Sequence, residues 1–290
     1  MKWHEHASNA DKNTRHVLGL SGGKDSAALA IYLKDHYPEI SHKIQYFFTD
    51  TGAELQEVYD TLDKLEAYLG KEIARLGSDK PFEYWLRAHN NYLPSPRQRW
   101  CTRIMKIEPF ERFVGEDPVI TYVGIRADED REGYISRKPT IKALFPFAGD
   151  GIVRDDVFRI LEESIGIPEY YRWRSRSGCY FCFFQRQDEW LGLKRRHPDL
   201  FARAVRIEKD VARRKFDWGT AEIHECGEGY TWNKSGLLDE IVRRAEKREQ
   251  DKGKGYGYAK GHSAERWQDA LRYEMDDGAP ESQACLICSL

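Results

Sequence analysis

The sequence predicts an α/β architecture, a parallel sheet with helices on both faces, followed by a smaller helical, cysteine-containing C-terminal lobe. Three observations carry the prediction. Short apolar runs rich in β-formers alternate with longer amphipathic segments, the βαβα order that parallel sheets require. Three of those runs end in glycine-containing polar turns, Ser21-Gly22-Gly23, Asp50-Thr51-Gly52 and Gly124-Ile125-Arg126. Open α/β sheets bind ligands at such strand ends. From Arg172 onward the character changes to charged helical segments carrying cysteines, which places the division at residues 1–168 and 169–290.

Taken in order, the apolar run from His16 to Leu20 reads as a first buried strand. Ser21-Gly22-Gly23-Lys24-Asp25-Ser26 then turns into an Ala/Leu-rich helix, Ala27 to Tyr37, closed by Pro38. Glycines permit backbone conformations and approaches that a Cβ would obstruct, so successive N–H groups can converge on an anion at the positive end of the helix. Phosphate is the expected guest. Ile44 to Thr49 has the composition of a second strand, Glu54 to Leu69 of an amphipathic helix, and Lys71 to Leu76 of a third strand. Pro81 to His89 reads as a short helix and Leu93 to Arg99 as an irregular basic loop. A further strand, Val119 to Val123, runs into Gly124–Arg131, Ala143 to Phe147 is an apolar patch, and Arg154 to Ile165 resembles a helix.

In the C-terminal part, helices are expected over Gln185–Arg196, Pro198–Lys215, Leu237–Gln250 and Ala264–Met275. Gly219–Trp232 reads as irregular and Asp251–Gly261 as a Gly/Lys/Tyr-rich linker.

At 290 residues, 40% hydrophobic, the chain can bury one full α/β core with length left for a second lobe. Met1 to Arg15 is polar, with no apolar h-region, and no stretch reaches the length of a membrane span, so a cytoplasmic protein without membrane contact is expected. The 46 basic and 48 acidic residues nearly cancel, so net charge gives no reason to propose a polyanion partner. Local charge does. Between Arg172 and Lys215, thirteen Lys/Arg stand against five Asp/Glu, interleaved with Tyr, Trp and Phe, the composition a nucleic-acid backbone would require.

Six cysteines, Cys101, Cys179, Cys182, Cys226, Cys285 and Cys288, include two C-x-x-C pairs. In a cytosolic chain such pairs bind metal or do redox work more often than they form disulfides. A Cys₄ zinc site from the two pairs is one candidate.

The Ser-Gly-Gly-Lys-Asp-Ser sequence resembles the PP-loop of the N-type ATP pyrophosphatase and adenine nucleotide α-hydrolase-like superfamily. The resemblance implies that Ser21, Gly22, Gly23, Lys24, Asp25 and Ser26 hold the phosphates of ATP, with Mg²⁺ shared by the nucleotide, while a substrate oxygen attacks the α-phosphate. Asp50-Thr51-Gly52, Cys101-Thr102 with Lys106 and Pro109, Gly124-Ile125-Arg126-Ala127 with Arg131, and Ser177-Gly178-Cys179 follow in the order seen in the phosphoadenosine phosphosulfate (PAPS) reductase-like family. This implies that Asp50, Thr51 and Gly52 lie by the adenosine and that Gly124, Lys106, Arg126 and Arg131 face anionic groups. Lys24, Asp25 and Arg126 are the catalytic assignments.

Position within the family also implies a [4Fe–4S] cluster on Cys101, Cys179 and Cys182, with zinc as the alternative. A fourth thiolate would come from Cys226, Cys285 or Cys288, of which Cys288 is the one assigned. The run Gly178–Gln185 further resembles the cysteine region of PAPS reductase-like proteins in bacterial DNA phosphorothioation systems of the DndC and SspD type. By that resemblance the protein is an ATP pyrophosphatase that adenylates a nucleic-acid backbone, DNA being favoured, for sulfur incorporation. Its partners are then the nucleic acid and a cysteine desulfurase as sulfur donor, and a homo-oligomer is allowed. A sulfonucleotide (APS or PAPS) reductase, a tRNA-thiolating enzyme and a non-catalytic nucleotide-binding module are the other readings of the same residues.

Overall fold

Strands only four to seven residues long, built from β-branched and aromatic residues, form the centre of the computed structural model, which describes residues 2–130, 138–212, 215–217, 222–224 and 230–252. They are β1 (Arg15–Gly19), β2 (Ile44–Asp50), β3 (Ile73–Gly77), β4 (Val119–Tyr122) and β5 (Ile141–Leu144), all parallel in the order β3-β2-β1-β4-β5. Leu18 stands beside Tyr46 on one side and Tyr122 on the other. Because side chains alternate across a strand, the sheet offers two apolar faces. Val17, Phe47, Val119 and Ile141 occupy one face, and Leu18, Tyr46, Phe48, Ile120 and Tyr122 the other.

The helices follow from those faces. α1 (Trp3–Ser8) precedes the sheet, and α2 (Lys24–His36) packs by Ala27, Ala28 and Ala30, whose small side chains let backbones approach closely. α3 (Pro38–Ser41) is a single turn started by its proline. α4 (Gln56–Leu69) buries Val58, Leu62, Leu65 and Leu69, the stripe of an amphipathic helix. α5 (Phe82–Ala88) follows β3.

Next, α6 (Trp100–Thr102), a π-helical stretch (Arg103–Ile107) and α7 (Glu108–Val114) run on as one helical segment. Pro109 has no N–H to donate to the preceding turn, and the ladder widens ahead of it. Phe110 and Val114 of this segment cover the Val17/Phe47 face, with Phe47 and Phe110 stacked at 5.0 Å. The opposite face is covered by α2, α4 and α9 (Arg154–Glu162), which follows α8 (Pro146–Asp150). Helices on both faces are thus found as expected. The sequence reading left residues 100–114 unassigned and took 143–147 only as an apolar patch; the structure makes the first a helix and puts Ile141–Leu144 in the sheet.

Beyond the sheet, a 3₁₀ turn (Glu169–Arg172) leads to α10 (Gln187–Arg196), α11 (Pro198–Ala212) and α12 (Leu238–Lys252). A short antiparallel pair, β6 (Lys215–Asp217) and β7 (Glu222–His224), replaces the expected helical end at Lys215 and part of the irregular segment. The Glu208 carboxylate accepts the backbone N–H groups of Trp232 (3.0 Å) and Leu238 (2.8 Å), which docks the start of α12 on α11. Trp173, Trp190, Leu193 and Phe201 belong to the same apolar cluster as Leu18 and Tyr46, so one core joins the helices to the sheet. The expected helix 264–275, the linker from residue 253 and the terminal cysteines lie outside the described residues. Among the described residues no helix is long and apolar enough to cross a membrane.

Glu189, fully buried near the start of α10, fixes the loop that precedes it. Its carboxylate accepts from the Ser175 N–H at 2.7 Å, the Ser175 hydroxyl at 2.6 Å and the Arg186 N–H at 2.9 Å. Burial alone would raise this carboxyl; the Arg176 and Arg174 charges and the Ser175 bonds outweigh burial and hold it below the usual carboxylate range. A depressed folded-state pKa contributes stability that is present above the unfolded-state value of about 4.3 and lost as pH falls through the folded value. Urea denaturation between pH 7 and pH 3 should therefore show Glu189→Gln less stable than the parent at neutral pH and less steeply dependent on acid. An unchanged acid slope would remove Glu189 from this role.

Candidate functional site

The carboxyl ends of β1, β2 and β4 meet at one edge of the sheet, and the three polar turns meet there with them. Between β1 and α2, Gly22 has φ +68°, and a Cβ on it would lie 2.6 Å from Val58 Cγ1, so both conformation and space demand glycine. The loop closes on itself through serine hydroxyls. Ser21 N–H donates to Ser26 Oγ at 3.2 Å, and Ser26 Oγ donates to Gly23 O at 3.3 Å. α2 begins at Lys24, three residues earlier than the sequence reading placed it, which brings its positive end directly onto Ser21–Gly23.

Two tyrosines that the sequence reading did not single out hold this loop. Tyr170 Oη donates to Gly22 O, and Tyr171 Oη accepts the Lys24 N–H at 2.8 Å. One N–H expected to serve an anion is therefore engaged by the protein itself. Lys24 is 7% exposed, with Nζ 3.5 Å from Asp25 Oδ2 and 5.4 Å from the centre of the Tyr171 ring. No spacing or periodicity marks Tyr170 and Tyr171; only their place between Pro168 and Cys179 is visible in the sequence.

Arg126, in the turn after β4, is 1% exposed. Its Nη1 lies 2.7 Å from Asp25 Oδ1 and 2.7 Å from Glu129 Oε1, and its Nε lies 2.9 Å from Asp128 Oδ1. A buried guanidinium persists only when its donors meet acceptors, and here three carboxylates provide them. Gly124 makes the contact possible, since a Cβ there would stand 2.9 Å from Asp25 O. Of the residues expected here, Ser21–Ser26, Gly124 and Arg126 are brought together; Arg131 lies outside the described residues.

The second turn, Asp50–Gly52, faces the cysteines. Asp50 Oδ1 accepts from the Gly52 N–H (2.7 Å) and the Tyr59 hydroxyl (2.8 Å), which fixes the turn. Residues 53 and 54 pair with the cysteine segment. Tyr180 N–H donates to Ala53 O at 2.8 Å, within a Glu54–Cys179 β-bridge. Cys179 Sγ lies 3.1 Å from Thr51 Oγ1 and 3.7 Å from Glu54 Oε1. Burial pushes the Cys179 thiol well above its ordinary range and raises the Glu54 carboxyl as well.

Cys101, Cys179 and Cys182 line one apolar cavity of about 40 Å³ with Phe181, Phe184 and Lys106. A separate polar cavity of about 410 Å³ opens at the ends of β2 and β3, bounded by Asp50, Gly52, Arg75, Lys80 and Arg203. Thr51, Phe82 and Phe181 belong to both linings. The three cysteines thus border one apolar cavity. Among the described residues, however, no three His, Cys, Asp or Glu side chains converge to hold a metal ion, and the chemistry derived from the site rests on the protein's own groups. Cys226, Cys285 and Cys288, the candidate fourth ligands, lie outside the described residues.

Residues 15–142 match the family model of the phosphoadenosine phosphosulfate reductase domain. The match takes in the three turns and Cys101 and ends before Cys179. The chain is 27% identical over 235 residues to the uncharacterized protein MJ0066 of Methanocaldococcus jannaschii, covering 76% of this chain and 45% of that protein. It is 25% identical over 219 residues to MJ0973 of the same organism, covering 72% of this chain and 50% of that protein. The chain therefore spans about half the length of the curated relatives it matches. Among solved structures, PAPS reductase from Candida auris in its phosphate complex aligns with a TM-score of 0.46 and 16% identity, covering 61% of this chain and 86% of that one.

Replacing Arg126 with Gln leaves Asp25 and Glu129 facing each other without the cation. Chemical denaturation should show a loss of about 3 kcal/mol or more, the cost of breaking a buried ion pair from one side. Arg126→Lys keeps the charge but not the fork and should lose less. Equal stability of parent and Gln variant would contradict the placement of this guanidinium.

Proposed function

We propose that this chain, which carries a PAPS reductase-like domain, is an ATP pyrophosphatase that adenylates a nucleic-acid backbone, DNA in the first instance, for sulfur incorporation. The observation that carries the reading is the Thr51–Cys179 contact, 3.1 Å, which sets the nucleotide turn and the cysteine wall back to back. A non-bridging oxygen of the backbone phosphate attacks the α-phosphorus of ATP, and pyrophosphate leaves. The terminal sulfur of a cysteine persulfide then attacks the backbone phosphorus and AMP leaves. A second cysteine thiol attacks the cysteine sulfur of the resulting S–S–P linkage, freeing the phosphorothioate and leaving a Cys–Cys disulfide that an external dithiol reduces.

The chain's own groups support the first step. The serine-lined loop and the positive end of α2 are suited to the pyrophosphate portion of ATP, and Lys24 supplies a cation whose partly buried setting strengthens its field. Mg²⁺ accompanying the nucleotide would add charge neutralisation. Asp25 braces both Lys24 and Arg126, so its role in this reading is to position cations. For the second step, the apolar wall of Cys101, Cys179 and Cys182 offers thiols shielded from water, to which a cysteine desulfurase would deliver sulfur. The basic segment after Arg172 supports a polyanionic substrate.

Pyrophosphate release from ATP should rise on addition of DNA and fall by about a hundredfold or more in Lys24→Ala, the scale of losing one charge-stabilising group at a developing anion. ATP turnover indifferent to nucleic acid, or sulfite formation from APS or PAPS with a thiol and no ATP, would reject this reading in favour of another.

A further inference from the structure

Two guanidinium groups outside the nucleotide loop share one aromatic ring beside the cysteine cavity. Arg99 Cζ lies 5.1 Å and Arg176 Cζ 5.8 Å from the centre of the Phe184 ring, and Phe184 itself lines the cavity. Among the described residues, Arg99 Nε and Nη2 and Arg176 Nη1 are buried with no hydrogen-bond acceptor. A cation over a phenyl ring gains roughly 0.5–1 kcal/mol, more when dry, which does not replace acceptors missing from charged donors. Glu189 faces Arg176 electrostatically, yet its oxygens accept from Ser175 and Arg186.

Both side chains issue from fixed backbone. Arg99 caps α6 and follows a turn closed by Ser95 N–H to Gln98 O at 3.0 Å and Gln98 N–H to Ser95 O at 3.1 Å. Arg176 follows Ser175, which Glu189 anchors. Arg99 stands two residues before Cys101 and Arg176 three before Cys179, so the pair brackets the cysteine wall from two segments of the chain.

We propose that Arg99 and Arg176, sharing the Phe184 ring, form a clamp for a backbone phosphodiester of a single nucleic-acid strand and present it to the cysteine cavity. The inference rests on the nucleic-acid substrate proposed above. A guanidinium fork matches the oxygens of a phosphate, and an oxyanion supplies the hydrogen-bond acceptors that these donors lack. Next to the clamp, the rings of Phe183 and Phe184 lie 4.5 Å apart at 41°, and the partly exposed Phe183 ring gives a neighbouring base a surface to stack on.

The test uses the full chain and a fluorescein-labelled oligodeoxythymidine of about 12 nucleotides, within the span that single-strand sites cover. Anisotropy titrations at several salt concentrations should show about tenfold weaker binding in Arg99→Gln and in Arg176→Gln. The double variant should lose about 0.7 from the magnitude of the log–log salt slope, one phosphate contact. ATP affinity should be unchanged, and Arg112→Gln, on α7, should bind the oligonucleotide as the parent does. Should a Gln variant fail to fold, the Lys replacements carry the test: they keep charge without the fork and should weaken binding while leaving the slope in place. Parent-like affinity in folded variants, or no oligonucleotide binding by the parent protein, overturns the clamp. Variant-sensitive binding of adenosine phosphosulfate without oligonucleotide binding also overturns it, by assigning the pair to a sulfo group. Oligonucleotide binding that the variants lose, in a parent whose pyrophosphate release ignores DNA, supports the clamp and rejects the adenylation reading instead.

Discussion

A full positive charge buried between two strand ends is the constraint on which this site depends. Arg126 reaches from the turn after β4 to Asp25 in the first turn of α2, at 2.7 Å, and so ties the loop that follows β1 to the neighbouring strand's loop. The arrangement needs several residues at once. Gly124 must lack a side chain for the loops to approach, Asp25 must stand at the helix start, and Asp128 and Glu129 must satisfy the remaining donors. With the desolvation of a guanidinium at stake, these conditions are met together or the edge of the sheet is not assembled. Asp25 meets two cations, Lys24 and Arg126, so its negative charge is balanced within the loop.

The second constraint is that the α/β part does not complete its own site. The loop's Gly22 carbonyl and Lys24 N–H are held by Tyr170 and Tyr171, and the turn after β2 is paired to the backbone of Cys179 and Tyr180. Arg174, fully buried, donates to the carbonyls of Gly178 and Cys179 at 3.0 and 2.7 Å, which orients the cysteine segment from behind. The turn after β2, the loop after β1 and the cysteine segment are therefore shaped by the same stretch, residues 169–182, and a change in that stretch reaches all three.

What was legible in the sequence was what is local. Gly22 shows in the sequence because its positive φ is a property of a tight turn between a strand and a helix, whereas its close approach to Val58 on α4 appears only in the fold, and the alternation of apolar runs showed four of the five strands. β5 was missed because a four-residue strand with Lys142 exposed at its centre is too short to show a period, and its burial comes from pairing with β4. The helix through residues 100–114 was missed because its cysteine, basic residues and proline look like a loop until the Phe47 face is there to cover. Tyr170 and Tyr171 were invisible for a different reason. Their contacts join residues almost 150 positions apart through a hydroxyl and a backbone group, and no composition or spacing encodes that. The cysteine pattern led to the expectation of a metal cluster on Cys101, Cys179 and Cys182; the three line one cavity without, among the described residues, forming a group of metal-ligating side chains, and the thiol–Thr51–Glu54 contacts that occupy Cys179 depend on the β-bridge.

The two cavities differ in kind. The larger is bordered by charged residues from β3 and α11, Arg75 and Arg203 among them. The smaller is apolar, and burial raises the Cys179 thiol well above its ordinary range. Lys106 lines that same cavity and acts to lower the thiol, against the larger effect of burial. Glu54 acts in the opposite sense to Lys106 and raises the thiol further. Thr51 forms a wall of both cavities and its hydroxyl lies 3.1 Å from the thiol, so any shift of Thr51 on the side of the larger cavity changes the surroundings of Cys179 in the smaller one.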